Sequence, residues 1–213
     1  MPAVALAKVG FLFLEMKVLL HACCGPCASA CEPALRDLGD EVVLFFSNSN
    51  IDTREEFERR LAAVRRLAAA DGVEVVVDEY DHSDWLEQVA RGYESEPEKG
   101  ARCKRCFRYS LVRAARHAAA NGMQAFTTSL TVSPHKVSET VFASGRDAAW
   151  AASTAECGGG AAPAPEFLEV DFKKRDGFLL SLRRSAELGL YRQSYCGCEF
   201  SRRTASQPLD PVP

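Results

Sequence analysis

The chain has 213 residues, 47% of them hydrophobic, which is enough apolar mass for one domain with its own core. A formal charge of -3 excludes a uniformly basic nucleic-acid binder, so any RNA surface has to be a local patch. Nine cysteines, an odd number gathered in tight clusters, argue against a secreted disulfide framework and for metal or redox chemistry in a reducing compartment, the cytoplasm.

Lys8, Glu15 and Lys17 interrupt the apolar N-terminal stretch, and no small-residue cleavage site follows it. Residues 1–15 therefore read as an extension, residues 16–201 as a single catalytic domain and residues 202–213 as a tail. No apolar run reaches the roughly 18 residues that a membrane-spanning helix needs.

The apolar runs 17–22, 41–47 and 73–77 predict buried strands. Residues 26–38 open on Pro26 and stop before Gly39, as a helix does. In residues 53–70, Phe57, Leu61, Val64 and Leu67 recur at helical spacing behind a capping box of Thr53 and Glu56. The stretch 71–98 is heavily acidic. Further on, 104–121 predicts a helix ended by Gly122, 124–128 a strand, 137–150 a helix and 167–170 a last strand. Residues 152–166, rich in Ala, Gly and Pro and containing Cys157, read as a flexible insertion. Alternating strands and helices imply an α/β fold whose parallel sheet is covered on both faces, three layers in all, with ligands at the carboxyl ends of the strands. Cys23 and Cys24 fall at one such end.

Cys23-Cys24-Gly25-Pro26-Cys27 lies where a strand gives way to a helix, a place where free backbone N–H groups and the helix dipole stabilise thiolates. Cys103-Lys104-Arg105-Cys106 puts two more thiols one turn apart at another helix start. Four thiolates from two such loops suit either structural zinc or a 4Fe–4S cluster. Adjacent cysteines diverge, which favours the wider cluster. Cys31 reads as a core residue, whereas Cys27 can face the site. In Cys196-Gly197-Cys198 the glycine permits the bend that a disulfide two residues apart demands, so this pair reads as a redox couple or as additional metal ligands.

Four segments taken together, HACCGPC (21–27), ESEPEKGARCKRCF (94–107), FTTSLTVSPHK (126–136) and LGLYRQSYCGC (188–198), resemble epoxyqueuosine reductases of the QueH type over residues 16–201. The resemblance implies a cobalamin-independent iron–sulfur oxidoreductase that converts epoxyqueuosine to queuosine at the tRNA wobble position, the last step of queuosine synthesis. It implies a 4Fe–4S cluster on Cys23, Cys24, Cys103 and Cys106, a redox-active Cys196–Cys198 pair and an external electron donor. It also implies an additional mononuclear iron, for which Cys27 and Asp81 are candidates. The family is similar to PP-loop proteins of HUP type, but ACCGPCA (22–28) stands where their glycine-rich phosphate loop would be, so ATP use is not expected.

His21 and His135 are candidate proton donors, although His21 is equally placed to orient a thiolate or fill the strand end. Residues 99–117 carry seven Lys or Arg and no acid, and 173–203 carry eight against three acids. These segments supply the local basic patch that an anticodon loop requires, with Tyr109, Tyr191 and Tyr195 as stacking candidates. Two other functions fit the same residues: a zinc-stabilised RNA-binding module, and an iron–sulfur tRNA-thiolating enzyme.

Overall fold

The computed structural model describes residues 16–154 and 164–202. Five strands, β1 (Lys17–His21), β2 (Glu41–Phe46), β3 (Glu74–Val77), β4 (Ala125–Thr128) and β5 (Glu166–Phe167), form one sheet in the order β3-β2-β1-β4-β5, every neighbouring pair parallel. On the central strand β1, Val18 and Leu20 face one core and Leu19 the other, all 0% exposed. Burial on both sides is why the strand reads as an unbroken apolar run.

The helices among the described residues are α1 (Gly25–Arg36), α2 (Arg54–Asp71), α3 (His82–Trp85), α4 (Ala101–Ala120), α5 (Ser138–Ser153) and α6 (Gly177–Glu187). α1, α2 and α6 cover one face of the sheet through Leu35, Leu61, Leu67 and Leu180, and α4 and α5 cover the other through Leu111, Ala114, Val141 and Ala148. The result is the expected three-layer α/β arrangement. Thr53 caps α2 by accepting the Glu56 N–H at 3.2 Å, as the capping box predicts.

The local differences from expectation have physical causes. Within the acidic stretch, for which no element was expected after residue 77, the chain folds into α3 and the π-turn Leu86–Ala90, driven by Trp85 and Val89, which are 0% and 1% exposed. α6 was not among the expected helices; its fully buried positions are Gly177, Ser181 and Ser185, with Phe178 and Leu180 packed beside them on the core. α5 runs on to Ser153, into the start of the expected insertion. The last strand shrinks to Glu166–Phe167, because the hydroxyls of Thr127 and Thr131 each donate, at 2.8 Å, to the carbonyls of Leu168 and Val170. Residues 1–15, Cys157 and residues 203–213 lie outside the described residues.

The chain leaves β1 towards β2 on one side and returns through β4 on the other, so the crevice between the carboxyl ends of β1 and β4 is the switch point where such folds bind ligands.

Candidate active site

Cys23 and Cys24 follow β1 directly, and Ser129 follows β4. The Cys23 N–H donates to Ser129 Oγ at 3.0 Å, and the Ser129 hydroxyl donates back to Cys23 Sγ at 3.2 Å, joining the two strand ends. Cys24 is the N-cap of α1, its sulfur accepting the Cys27 N–H at 3.5 Å, with Pro26 in the first turn. Gly25 lets α1 approach α2, since a Cβ there would stand 2.8 Å from the Ala63 carbonyl group. The sulfurs of Cys23, Cys24 and Cys27 lie within 4.8 Å of one another.

The three thiols differ in how readily they ionise. Hydrogen bonds from the Cys23 and Cys27 thiols, aided by the Cys27 N–H, hold Cys24 well below the ordinary thiol range despite burial. Cys23 is pushed up to about 12, chiefly by its hydrogen bond to Cys24, and Cys27 is raised by its hydrogen bonds to the same two thiols and by burial. Cys31, 0% exposed, donates its S–H to the Cys27 carbonyl and belongs to the core, as expected.

His21 does not open onto the cleft. It is 1% exposed, Nε2 donating to the Ser47 carbonyl at 3.1 Å and Nδ1 accepting from the Thr128 hydroxyl at 2.9 Å. Burial lowers its pKa to about 4, so it is a neutral brace between three strand ends.

Cys103 and Cys106 sit in the first two turns of α4. The preceding loop is shaped by Arg102, 2% exposed, whose guanidinium donates to the carbonyls of Tyr93, Glu94 and Glu96. Lys99 adopts a positive φ of 73° and donates its N–H to Cys103 Sγ at 3.3 Å. Burial raises the Cys103 thiol, and the charges of Cys196 and Glu98 add to this. Cys106 packs against the cluster of Trp85, Val89 and Cys198; burial and the neighbouring thiols Cys196 and Cys198 raise it, while the Trp85 indole N–H pulls the other way.

The Cys196-Gly197-Cys198 turn is held by α2 and the loop before it. Arg60, 2% exposed, pairs with Glu56 at 2.7 Å and donates to the carbonyls of Cys196 and Tyr195 at 2.8 and 3.2 Å. The Asp52 N–H donates to the Gly197 carbonyl at 3.0 Å. Cys196 and Cys198 are free thiols. Cys196 faces a narrow cleft that it shares with Cys103, His135, Lys136 and Glu98, whereas Cys198 is 8% exposed against Trp85.

Lys136 links the two thiol groups. Its Nζ lies 3.7 Å from Cys196 Sγ. Burial would lower its pKa, but the electrostatic influence of the Cys196, Cys23, Cys27 and Cys24 sulfurs outweighs burial and raises it, so the side chain is a fixed cation beside these sulfurs. Seven of the eight described cysteines thus converge between the end of the sheet, α4 and the C-terminal turn.

These residues fit a thiophilic metal group. The three close sulfurs are a soft donor set with a helix N-terminus behind them. The Trp85 indole N–H beside Cys106 is buried with no hydrogen-bond partner, and an anionic sulfur there would satisfy it. Cys103 and Cys106 are not part of the close three-thiol group, which contains Cys27 instead.

Other candidates are occupied elsewhere. Asp81 is exposed and caps α3 by accepting the Asp84 N–H at 2.9 Å; it is not in the three-thiol group. The hydroxyls of Tyr109, Tyr191 and Tyr195 donate to Asp84, Glu56 and Asp52, and Tyr195 packs beside the turn with Arg60 and Arg202 over its ring. Of the basic segments, Arg102, Arg105, Arg113, Lys173 and Arg184 hold the fold together, whereas Lys104, Arg108 and Arg116 on α4 are exposed. Sequence reasoning missed Lys136 and Arg60. Arg60 did leave a signal, a charge on the stripe of Phe57, Leu61 and Val64.

A family model described as "Epoxyqueuosine reductase QueH" matches residues 18–204. The chain is similar to the epoxyqueuosine reductase QueH of Streptococcus pyogenes serotype M1, 33% identical over 192 residues, which covers 87% of this chain and 70% of that one. It is likewise 33% identical over 194 residues to that of Acinetobacter baylyi (90% and 83%). To that of Thermotoga maritima it is 33% identical over 187 residues (86% and 89%).

Proposed function

The chain belongs to the epoxyqueuosine reductase QueH family, and from that premise we propose that it removes the epoxide oxygen of epoxyqueuosine in tRNA to give queuosine, without cobalamin. The observation that carries the reading is Lys136, an ammonium that lines the narrow cleft beside Cys196 and feels the charge of the Cys23, Cys24 and Cys27 sulfurs.

The reaction breaks both C–O bonds of the epoxide, forms one C=C bond, and consumes two electrons and two protons to release water. A 4Fe–4S cluster on Cys23, Cys24, Cys103 and Cys106 would supply the electrons singly, drawn from an external donor. Lys136 Nζ holds a proton and donates a hydrogen bond to the departing oxygen, stabilising charge as it develops. Cys196 and Cys198 would be the reservoir of those two electrons: the dithiol becomes a disulfide as they leave it with two protons, and the external donor reduces it again for the next turnover. Cys27 is the residue for an additional iron beside the cluster; Asp81, engaged as a cap, is not part of this proposal. His135, exposed at the rim of the cleft, can relay the second proton. Lys104, Arg108 and Arg116 would meet phosphates of the anticodon loop. Such thiol chemistry fits the reducing cytoplasm; no helix among the described residues is long and apolar enough to cross a membrane.

The test is anaerobic purification with metal and sulfide analysis, followed by incubation with a chemical reductant and tRNA carrying epoxyqueuosine. Iron, sulfide and conversion to queuosine are expected. Stoichiometric zinc without iron or sulfide, or an iron-loaded protein that leaves the epoxide intact, would overturn the reading.

A further inference from the structure

The cleft beside Cys196 contains a charge that the reaction as written does not use. Glu98 is the one carboxylate lining it, and the side chain is exposed, with no hydrogen bond or ion pair among the described residues. Its position is defined by backbone geometry. Lys99, next in sequence, is held at φ 73° with its N–H on Cys103 Sγ, so the 98–99 turn is tied to the first turn of α4. A positive φ at a residue other than glycine costs free energy and persists where the surroundings impose it.

The carboxylate shares the cleft with Lys99, Lys136, Cys103 and Cys196 and takes none of them as a partner, which leaves it able to meet a cation that enters with the ligand.

Epoxyqueuosine brings such a cation. Its single basic nitrogen is the secondary amine that joins the epoxide-bearing cyclopentane ring to the base, and a dialkylamine of this kind is protonated at neutral pH. Without Glu98 that ammonium would enter a cleft whose nearest charges are Lys99 and Lys136, both repulsive. Resting on the functional reading above, we propose that Glu98 binds the substrate's secondary ammonium, setting the ring so that its oxygen reaches Lys136 and Cys196. Glu98 thereby selects substrates carrying the charged amine.

The experiment uses the iron-loaded full chain and its Glu98→Gln variant, with epoxyqueuosine-containing tRNA as substrate. Queuosine nucleoside and its N-acetylated, uncharged derivative serve as competitors. The wild type should be inhibited more strongly by the amine than by the acetylated form. E98Q should raise KM about tenfold, the size of one lost charge-assisted hydrogen bond, and abolish that preference while keeping its iron content and thermal unfolding midpoint. An E98Q enzyme matching the wild type in KM and in competitor preference overturns the assignment alone. A wild type that leaves epoxyqueuosine untouched overturns the functional reading, and this inference with it.

Discussion

Arg60 Nη1 donates a 2.8 Å hydrogen bond to the backbone carbonyl of Cys196, joining two residues 136 positions apart. The same guanidinium pairs with Glu56, and both side chains are almost wholly buried. Arg60→Gln should cost about 2–3 kcal/mol: Glu56 loses its closest cation and keeps only the Tyr191 hydroxyl and the more distant Arg59. Urea unfolding measures that loss. Arg60→Lys keeps a cation for Glu56 but cannot also hold the carbonyls of Tyr195 and Cys196, so it should recover stability more than turnover. Equal recovery of both would deny Arg60 a part in presenting the turn.

Gly197 gives a second handle on that turn. Its φ is 142°, and a Cβ would stand 2.8 Å from Asn50 Nδ2 and 3.2 Å from Arg60 Nη1. Gly197→Ala is expected to cost about 1–3 kcal/mol and to change the rate at which iodoacetamide modifies Cys196. A variant with wild-type stability and wild-type alkylation rate would show that the turn tolerates a side chain.

How much of this was legible in the sequence depended on the kind of signal each residue leaves. Val18 to Leu20 announced a two-faced strand because both faces of β1 are covered, and Thr53 with Glu56 marked where α2 starts. α6 was harder to read: small Gly177, Ser181 and Ser185 are its fully buried positions, and the apolar Phe178 and Leu180 beside them are only partly buried. Trp85 and Val89 were hidden among acids that face water on the other side of the same turns. At the site, the cysteine spacings pointed to the thiols. Lys136 sits in an irregular loop, where no periodicity marks a residue as inward-facing. Counting charges overstated the basic patch, since Arg102 and Arg113 bind carbonyls and Asp78 within the protein.

Cys24 serves both as a helix cap and as a sulfur donor, and the two roles separate in Cys24→Ser. Serine is a good N-cap, so the unfolding free energy should move by less than about 1 kcal/mol. The hard hydroxyl is a poor ligand for a soft metal, so bound iron should fall sharply. Cys27→Ser, assayed in parallel, asks whether the third thiol of the group also holds metal. Unchanged iron in C24S would remove Cys24 from the ligand set.

Acid stability should report on Asp78. Burial alone would raise its carboxyl, but hydrogen bonds from Arg113 and Ser47, the Arg113 charge and the Glu79 N–H together hold it below the ordinary carboxylate range. The folded state therefore binds this proton less readily than the unfolded state. The stabilisation is complete above the unfolded value of about 3.9 and is lost as pH falls through the lower folded value. Asp78→Asn should cost about 1–3 kcal/mol at pH 7 and should flatten the loss of stability on acidification. Parallel urea midpoints for wild type and variant from pH 6 down to pH 3 would contradict this.

The exposed cations of α4 and its buried arginine predict opposite behaviour from like-charged residues. Lys104, Arg108 and Arg116 project into solvent, so replacing all three by alanine should leave stability within about 0.5 kcal/mol per site. If each meets one phosphate, the slope of log affinity for tRNA against log salt should fall by about 2–3. Arg102→Ala removes the same unit charge but strips three carbonyls of their donor, so its effect should appear in unfolding. Filter binding across a salt series, set beside thermal melts of the same proteins, separates the two classes. A triple variant with an unchanged slope would place the tRNA on another face, and the exposed Lys174 and Arg183 would be the next residues to replace.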